Sequence, residues 1–475
     1  MKQNTDTVLQ LKTYFDSIAE RWDRWQARNR YYHHNVKQLL QFLIPQQASV
    51  LELGCATGDL LHAVQPSVGV GVDFSPEMVR LARQKYPQHT FHTMNAEQLS
   101  LEQKFGYVVM SDLVGHLHDI QQSLEKAHHV MTPRSRLIIT YYNFIWEPLL
   151  LLAEKLQLKT PQPHQNWVNT HDLQNLLDLA NFEIIRSGYR LLMPKNIPIF
   201  SWLFNKYLSQ LPVLRKFCVV RFIVARPRVH VTRPQRYSVS VIIPARNERG
   251  NIETAVRRIP KMGSKTEIFF VEGGSKDGTL DEIKRVVHAY KKKRAMSFCV
   301  QSGTGKANAV REGFARASGD ILMILDADLT VAPEDLPKFY NALVANHGEF
   351  VNGSRLVYPM ERQAMRFLNL LGNKFFSMMF TYLLDQRFKD TLCGTKVLFK
   401  SDYEKLAANR SYFGEFDPFG DFDLIFGAAK QNLKIVEMPI RYAERTYGDT
   451  NIQRWRHGLL LLKMVGVAAR RLKFI

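Results

Sequence analysis

Short apolar runs, each the length of one buried strand, recur along the chain and alternate with stretches of helical period. In the first half they fall at 49–53, 69–73, 107–111 and 137–141. In the second they fall at 238–244, 267–272, 321–326 and 350–353. Strands alternating with helices predict a mainly parallel sheet with helices on both faces, and this pattern occurs twice. Between the halves, residues 226–236 are rich in Pro and Arg and lack apolar periodicity. That composition predicts a linker between a domain over 1–225 and another over 237–475. No repeat relates the two halves, so two different α/β folds are expected.

Composition supports this division. A chain of 475 residues is too long for one ordinary core, and 45% hydrophobic with 23% charged residues is the make-up of a folded protein. The net charge of +20 implies an anionic partner: nucleic acid, phosphorylated substrates or an anionic membrane face. The four cysteines, Cys55, Cys218, Cys299 and Cys393, are widely spaced, which argues against a disulfide framework or thiolate metal site and fits a reducing compartment. Residues 1–6 are polar and carry no signal-peptide core. No run reaches the ~20 apolar residues that span a bilayer; the best candidate, 367–384, is interrupted by Asn369, Asn373 and Lys374. Secretion and membrane spanning are not expected, while lying on a membrane remains open.

The first chemical signal is the turn Leu53-Gly54-Cys55-Ala56-Thr57-Gly58 between a strand and a helix. Small residues there let the backbone approach a ligand and leave helix N-terminal N–H groups available. The next strand ends in Asp73, placed to accept hydrogen bonds from the two hydroxyls of a ribose. A packing turn of a doubly wound sheet is the plainer reading of the same residues. This region resembles the Rossmann-like S-adenosylmethionine-dependent methyltransferases over about residues 10–225. The resemblance rests on residues 51–58, on 72–78, on Asn95-Ala96-Glu97 and on the strand 107–111. It implies S-adenosylmethionine as cofactor, contacted by Glu52, Gly54, Ala56, Gly58, Asp73, Phe74, Met78, Asn95, Ala96 and Ser111. Ala56 stands where the family commonly has Gly, a mild change by size. Asn95 replaces a common Asp, and its carbonyl can still meet an adenine amine. Tyr14-Phe15 and Arg30-Tyr31-Tyr32 suit either an aromatic lid or core packing. His116 and His118 are loop residues with the chemistry of a base, and the methyl acceptor is not visible.

The second signal is stronger because four loops occur in order. They are Pro244-Ala245-Arg246-Asn247-Glu248, then 272–279, then Gly303-Thr304-Gly305-Lys306, and Asp326-Ala327-Asp328 after five apolar residues. In strand-like geometry residues i and i+2 share a side, so Asp326 and Asp328 are expected to share one Mg²⁺ or Mn²⁺ held against a diphosphate. The residues resemble the family 2 glycosyltransferases of GT-A fold, in the branch around dolichyl-phosphate mannosyltransferase, from Tyr237 to near the C-terminus. The resemblance implies a nucleotide-sugar site of Pro244, Ala245, Asn247, Glu248, Glu272, Gly274, Ser275, Asp277, Lys306 and Asp326, with metal ligands Asp326 and Asp328. It also implies that Arg355 and Arg445 receive an acceptor phosphate. Two departures stand out: Glu272-Gly273-Gly274-Ser275 replaces Asp-Asp-Gly-Ser, and Thr330 replaces a Gln ligand.

A lipid phosphate is already anionic, its second pKa lying near ~6, so such an acceptor needs positioning rather than a base. A hydroxyl acceptor needs a base, for which Asp421 and Asp423 are the candidates; a helix N-terminal acid pair is the alternative reading. Residues 367–376 and the tail 455–475 carry apolar faces edged with Lys and Arg, suited either to an interface helix or to core packing with a solvated tail. The sequence therefore predicts a bifunctional enzyme, cytoplasmic and peripheral at the inner membrane face. Sugar would pass from a nucleotide sugar to a polyprenyl phosphate, with inversion, at an anionic membrane surface. The first half would transfer methyl to an unknown acceptor, and no nucleic-acid partner is expected. The rival is a glycosyltransferase acting on a hydroxyl of a surface glycan or lipid, with the first half a non-catalytic adaptor.

Overall fold

The computed structural model describes residues 2–158, 165–229, 231, 235–358, 367–410, 421–443, 447 and 454–474, with backbone only for 2–8, 367–371, 421 and 454–458. The chain divides into two compact units, 1–229 and 230–473.

The first unit holds β1 (Ser49–Leu53), β2 (Val68–Asp73), β3 (Thr90–Thr93), β4 (Phe105–Ser111), β5 (Met131–Tyr142), β6 (Phe182–Arg190) and β7 (Val220–Pro227). They form one sheet in the order β3-β2-β1-β4-β5-β7-β6. The β3 to β5 part is parallel, and β7 runs antiparallel to both β5 and β6. The central strands are buried on both faces, as a helix-covered parallel sheet requires: Leu51, Val108 and Ile139 pack on one side, Val50, Val109 and Ile138 on the other. The order reverses between β1 and β4, which opens a crevice at the carboxyl ends of these strands. Strand β7 takes in Arg226 and Pro227, which the sequence assigned to the linker. Arg226 is fully buried and ion-paired to Glu183 at 2.5 Å, so a charged residue reads as linker composition while serving as interior.

The second unit holds β8 (Val239–Ala245), β9 (Thr266–Glu272), β10 (Ala295–Val300), β11 (Ile321–Ile324), β12 (Phe350–Ser354), β13 (Lys396–Phe399) and β14 (Ile435–Pro439), in the order β10-β9-β8-β11-β13-β12-β14. Pairing is parallel except on both sides of β13. The helix Gly305–Arg316 lies close on the sheet because residue 313 is Gly: a Cβ there would press into Ile242 and Val271. That close packing brings Lys306, at the helix start, to the carboxyl ends of β8 and β11.

Candidate functional sites

In the first unit the predicted residues converge on the carboxyl ends of β1 and β2. Gly54 and Gly58 adopt φ of +72° and +80°, and a Cβ at Gly54 would press on the Leu113 side chain. Ala56 also lies in the left-handed region, at φ +45°. Judged by size the change from Gly is mild; judged by backbone it carries strain, because a Cβ disfavours this conformation by roughly 1–2 kcal/mol. Asp73 holds this turn from below: one oxygen accepts from Ala56 N at 2.8 Å, the other from Ser75 N at 2.9 Å. Each carboxylate oxygen has a second lone pair, so a ribose can still be received. Burial pushes the Asp73 carboxyl up to about 6 against these hydrogen bonds. Glu52 is 2% exposed, and its Oε2 has no hydrogen-bond partner. Burial, with Asp59 and Asp73 nearby, pushes its carboxyl up to about 8. Two buried acids, one with an unsatisfied oxygen, suit a ligand that brings positive charge and donors, as a sulfonium amino acid does.

Phe74 and Met78 lie beneath the helix Lys2–Arg28, in a cluster with Leu11, Phe15 and Ala19 and with Ala56 packed against it. Phe15 meets Phe74 edge-on at 5.6 Å and His116 at 5.5 Å. Phe15 thus belongs to the cluster on which Ala56 of the glycine turn packs. Asn95 uses its Oδ1 to cap the short helix Ala96–Gln98 through Glu97 N at 3.0 Å, and Ala96 is buried. Ser111 bonds Thr140 at 2.9 Å.

Asp112 was missed by the sequence reading. It holds φ +54° directly after β4, accepts from Tyr32 Oη at 2.6 Å and Thr140 Oγ1 at 3.3 Å, and lines a small cleft. Tyr141, Tyr142, Asn166 and Trp167 also line that cleft. The signal available in sequence was an acid immediately following the fourth strand. Tyr32 stacks on Tyr142 at 5.7 Å. Burial and the neighbouring Asp112 raise the Tyr32 phenol well above its ordinary value, so it stays a donor.

In the second unit the turns after β8 and β9 are zipped together. Asn247, at φ +56°, receives Lys276 N on its Oδ1 at 2.9 Å and donates its own N to Ser275 Oγ at 3.0 Å. Glu248 N donates to Thr279 Oγ1, and Arg249 N donates to Asp277. Glu272, 2% exposed, accepts from Ser275 N at 2.6 Å. Gly274, at φ +71°, faces open space. Pro244 and Ala245 end β8 beside them. Burial alone would raise the Asp277 carboxyl; hydrogen bonds from Thr279, Arg249 and Tyr447 together outweigh it and hold Asp277 below its ordinary range.

Strand β11 ends at Ile324, and Asp326 and Asp328 lie in the turn beyond it. The expected strand geometry is therefore corrected: the Asp326 carbonyl turns to accept Leu329 N, and Leu329 takes φ +54°. The alternation nevertheless persists, with Asp326 and Asp328 half-buried and Ala327 and Leu329 buried. Asp326 pairs with Lys306 at 2.5 Å, and Gly394 crowds its other oxygen so closely that no Cβ could stand there. Burial alone would raise the Asp326 carboxyl; Lys306, Lys396 and Arg355 together hold it below the ordinary range. Asp328 accepts from Thr330 N and Oγ1. Two partly exposed carboxylates on one side of a turn are hard donors that fit Mg²⁺ or Mn²⁺. Among the described residues no cluster of three His, Cys, Asp or Glu adds to them.

The acceptor-side candidates are scattered. Arg355 is buried and pairs with Asp390 through Nε at 2.6 Å and Nη2 at 2.9 Å, with its guanidinium 5.0 Å from the Tyr442 ring centre. The sequence expected it to face a phosphate; here it anchors the 390–395 loop. Asp423 pairs with Arg311 at 2.5 Å. The side chain of Asp421 and the whole of Arg445 lie outside the described residues.

Residues 240–406 match the family described as "Glycosyl transferase family 2". A dolichol-phosphate mannosyltransferase of Pyrococcus furiosus is 30% identical over 247 residues, 50% of this chain and 67% of that protein. The chain belongs to glycosyltransferase family 2. A second relative of the family 2 unit is an undecaprenyl-phosphate 4-deoxy-4-formamido-L-arabinose transferase of Edwardsiella ictaluri. It is 27% identical over 232 residues, 47% of this chain and 64% of that protein. Residues 24–187 match the family described as "Methyltransferase domain", so the chain joins a methyltransferase to a glycosyltransferase. Among solved structures, a methyltransferase from Thermotoga maritima aligns over 46% of this chain and 100% of its own, with 16% identity and a TM-score of 0.37. No helix among the described residues is long and apolar enough to cross a membrane.

Proposed function

We propose that the family 2 unit transfers a sugar from a nucleotide sugar to a polyprenyl phosphate, with inversion, and that the first unit transfers methyl from S-adenosylmethionine. The observation carrying the first reading is the Asp326–Lys306 pair at the carboxyl ends of β8 and β11, ringed by the charges of Lys396 and Arg355. A lysine beside two partly exposed acids suits a diphosphate donor held together with a divalent cation. Both relatives named above are described by lipid-phosphate acceptors, and a phosphate nucleophile fits a site whose candidate base, Asp423, is already paired to Arg311.

The zipped turns carrying Asn247, Glu248, Glu272, Ser275 and Asp277 would fix the nucleoside, with Gly274 leaving room for it. Lys306 would follow the diphosphate charge. Asp326 and Asp328 would hold Mg²⁺ or Mn²⁺, which supplies charge to offset that of the leaving diphosphate. Arg355 would position the acceptor side indirectly, by fixing the loop whose Gly394 abuts Asp326; Arg445 is the candidate for direct phosphate contact. The inner membrane face is where such an acceptor would be met. In the first unit, Glu52, Asp73 and the glycine turn would hold the cofactor, and Asp112 would orient an acceptor in the adjoining aromatic cleft.

The test is incubation with a panel of nucleotide sugars, either metal and short-chain polyprenyl phosphates, with products read by mass. A sugar-phosphate lipid is expected, and Asp326→Asn should lower its rate by at least about a hundredfold. Transfer to hydroxyl acceptors alone, or full metal-dependent activity in Asp326→Asn, refutes the assignment.

A further inference from the structure

The methyltransferase unit carries a surface of inverted polarity. Sixteen exposed large apolar side chains fall in two stretches, seven at 144–158 and nine at 197–217. Ile199 is 78% exposed, Val213 69%, Phe200 58%, Trp202 56%, Leu149 52% and Leu152 49%. The stretches are neighbours: Asn143 Nδ2 donates to the carbonyls of Lys216 and Cys218 at 2.8 and 2.9 Å, and Trp146 Nε1 donates to that of Phe217 at 2.8 Å.

The polar side chains of the second stretch turn inward instead. Ser201, Ser209 and Gln210 are buried. Ser201 Oγ donates to Lys195 O at 2.7 Å and accepts from Ile197 N at 2.6 Å, while Asn205 binds both the N and the O of Met193 at 2.8 Å. These bonds fix the backbone with its apolar side chains outward. Ile199 is held at φ +67°, a conformation a β-branched residue rarely takes, in the course of presenting its side chain to the outside. A segment that satisfies its polar groups internally and displays aromatics is built for contact with an apolar medium.

Charge identifies that medium. Residues 191–219 contain no Asp or Glu but carry Lys195, Lys206, Arg215 and Lys216. Residues 144–158 add Glu147 and Glu154 against Lys155, so the two segments together carry five basic residues and two acids. An apolar face with that basic excess complements anionic headgroups over an acyl interior, and Trp202 and Tyr207 are residue types that settle at that boundary. We infer that residues 144–158 and 197–217 form a membrane-docking surface on the methyltransferase unit that inserts into an anionic leaflet. The inference is independent of both transfer reactions; at one edge of the surface Tyr207 meets the ring of Phe474 at 5.6 Å.

The test uses the full chain with vesicles of phosphatidylcholine alone or mixed with phosphatidylglycerol. Sedimentation should favour the mixed vesicles. Phe200→Ser with Trp202→Ser should weaken partitioning by at least about tenfold, and Lys195→Glu with Lys216→Glu should do the same at low salt. Brominated lipid should quench the fluorescence of the wild type more than that of Trp202→Phe. Circular dichroism should be unchanged in every variant. Absence of vesicle binding, binding equal to wild type in both double variants, or equal quenching in Trp202→Phe overturns the proposal. So does a dimer in light scattering that the Phe200→Ser, Trp202→Ser variant dissolves, since the surface would then join two copies.

Discussion

Replacing Glu52 with Gln should remove most of the alkaline loss of stability from the methyltransferase unit. Glu52 is buried with one oxygen unpartnered, and its carboxyl is raised from 4.5 to about 8. The folded state therefore keeps a proton that the unfolded state releases. Stability from this group is full below pH 4.5 and lost progressively as pH rises through 8. Each pH unit in that range corresponds to about 1.4 kcal/mol, for a total of about 5 kcal/mol. Asp73 acts in the same direction but completes its change near 6. His33, lowered from 6.5 to about 4 chiefly by burial, acts in the opposite direction and is finished by 6.5. The interval from pH 6.5 to 8 therefore isolates Glu52 among these three and is worth about 2 kcal/mol. Urea titrations followed by tryptophan fluorescence suit the measurement, since Trp22, Trp25, Trp146, Trp167 and Trp202 all lie in the first unit. The wild type should lose about 2 kcal/mol across that interval and Glu52→Gln close to none. Equal losses in the two proteins refute the picture of a buried acid that keeps its proton.

Ala56→Gly should stabilise the same transition by about 0.5 kcal/mol, relief of the left-handed strain outweighing the added freedom of the unfolded chain; a less stable variant refutes the strain. Tyr32→Phe should cost about 2 kcal/mol in the same urea titration, because it removes a 2.6 Å donor from the Asp112 carboxylate. Asp390→Asn should lower the stability of the family 2 unit by about 3 kcal/mol. Asp390 is fully buried and receives Arg355 N, Nε and Nη2, Asn373 Nδ2 and Leu392 N. Amide hydrogen exchange at β12 and β13 should report that loss, and unchanged protection there would count against it.

The two sheets were legible because their central strands are covered on both faces, so each reads as an uninterrupted apolar run. Candidate loops were legible for the same reason, since each begins where such a run stops. What escaped the sequence is what depends on partners distant in the chain. Arg355 reads as a free cation until Asp390, thirty-five residues on, is found paired with it. Arg226 reads as linker until Glu183 is seen beside it. The strain at Ala56 is invisible to any scale of residue size, because it belongs to φ. Asp112 gains significance only when Tyr32 and Thr140, eighty residues before and twenty-eight after, are brought onto its two oxygens.

Lysine 306 occupies the seat that a cation would take beside Asp326. Before any donor arrives, that acid is already neutralised and held still, so the turn is spared self-repulsion. On the proposed reading an incoming diphosphate would compete for the same ammonium group, and drawing it away would leave the carboxylate open to a cation. Ion and donor should thus strengthen each other's hold, and the ion alone should find little to grip.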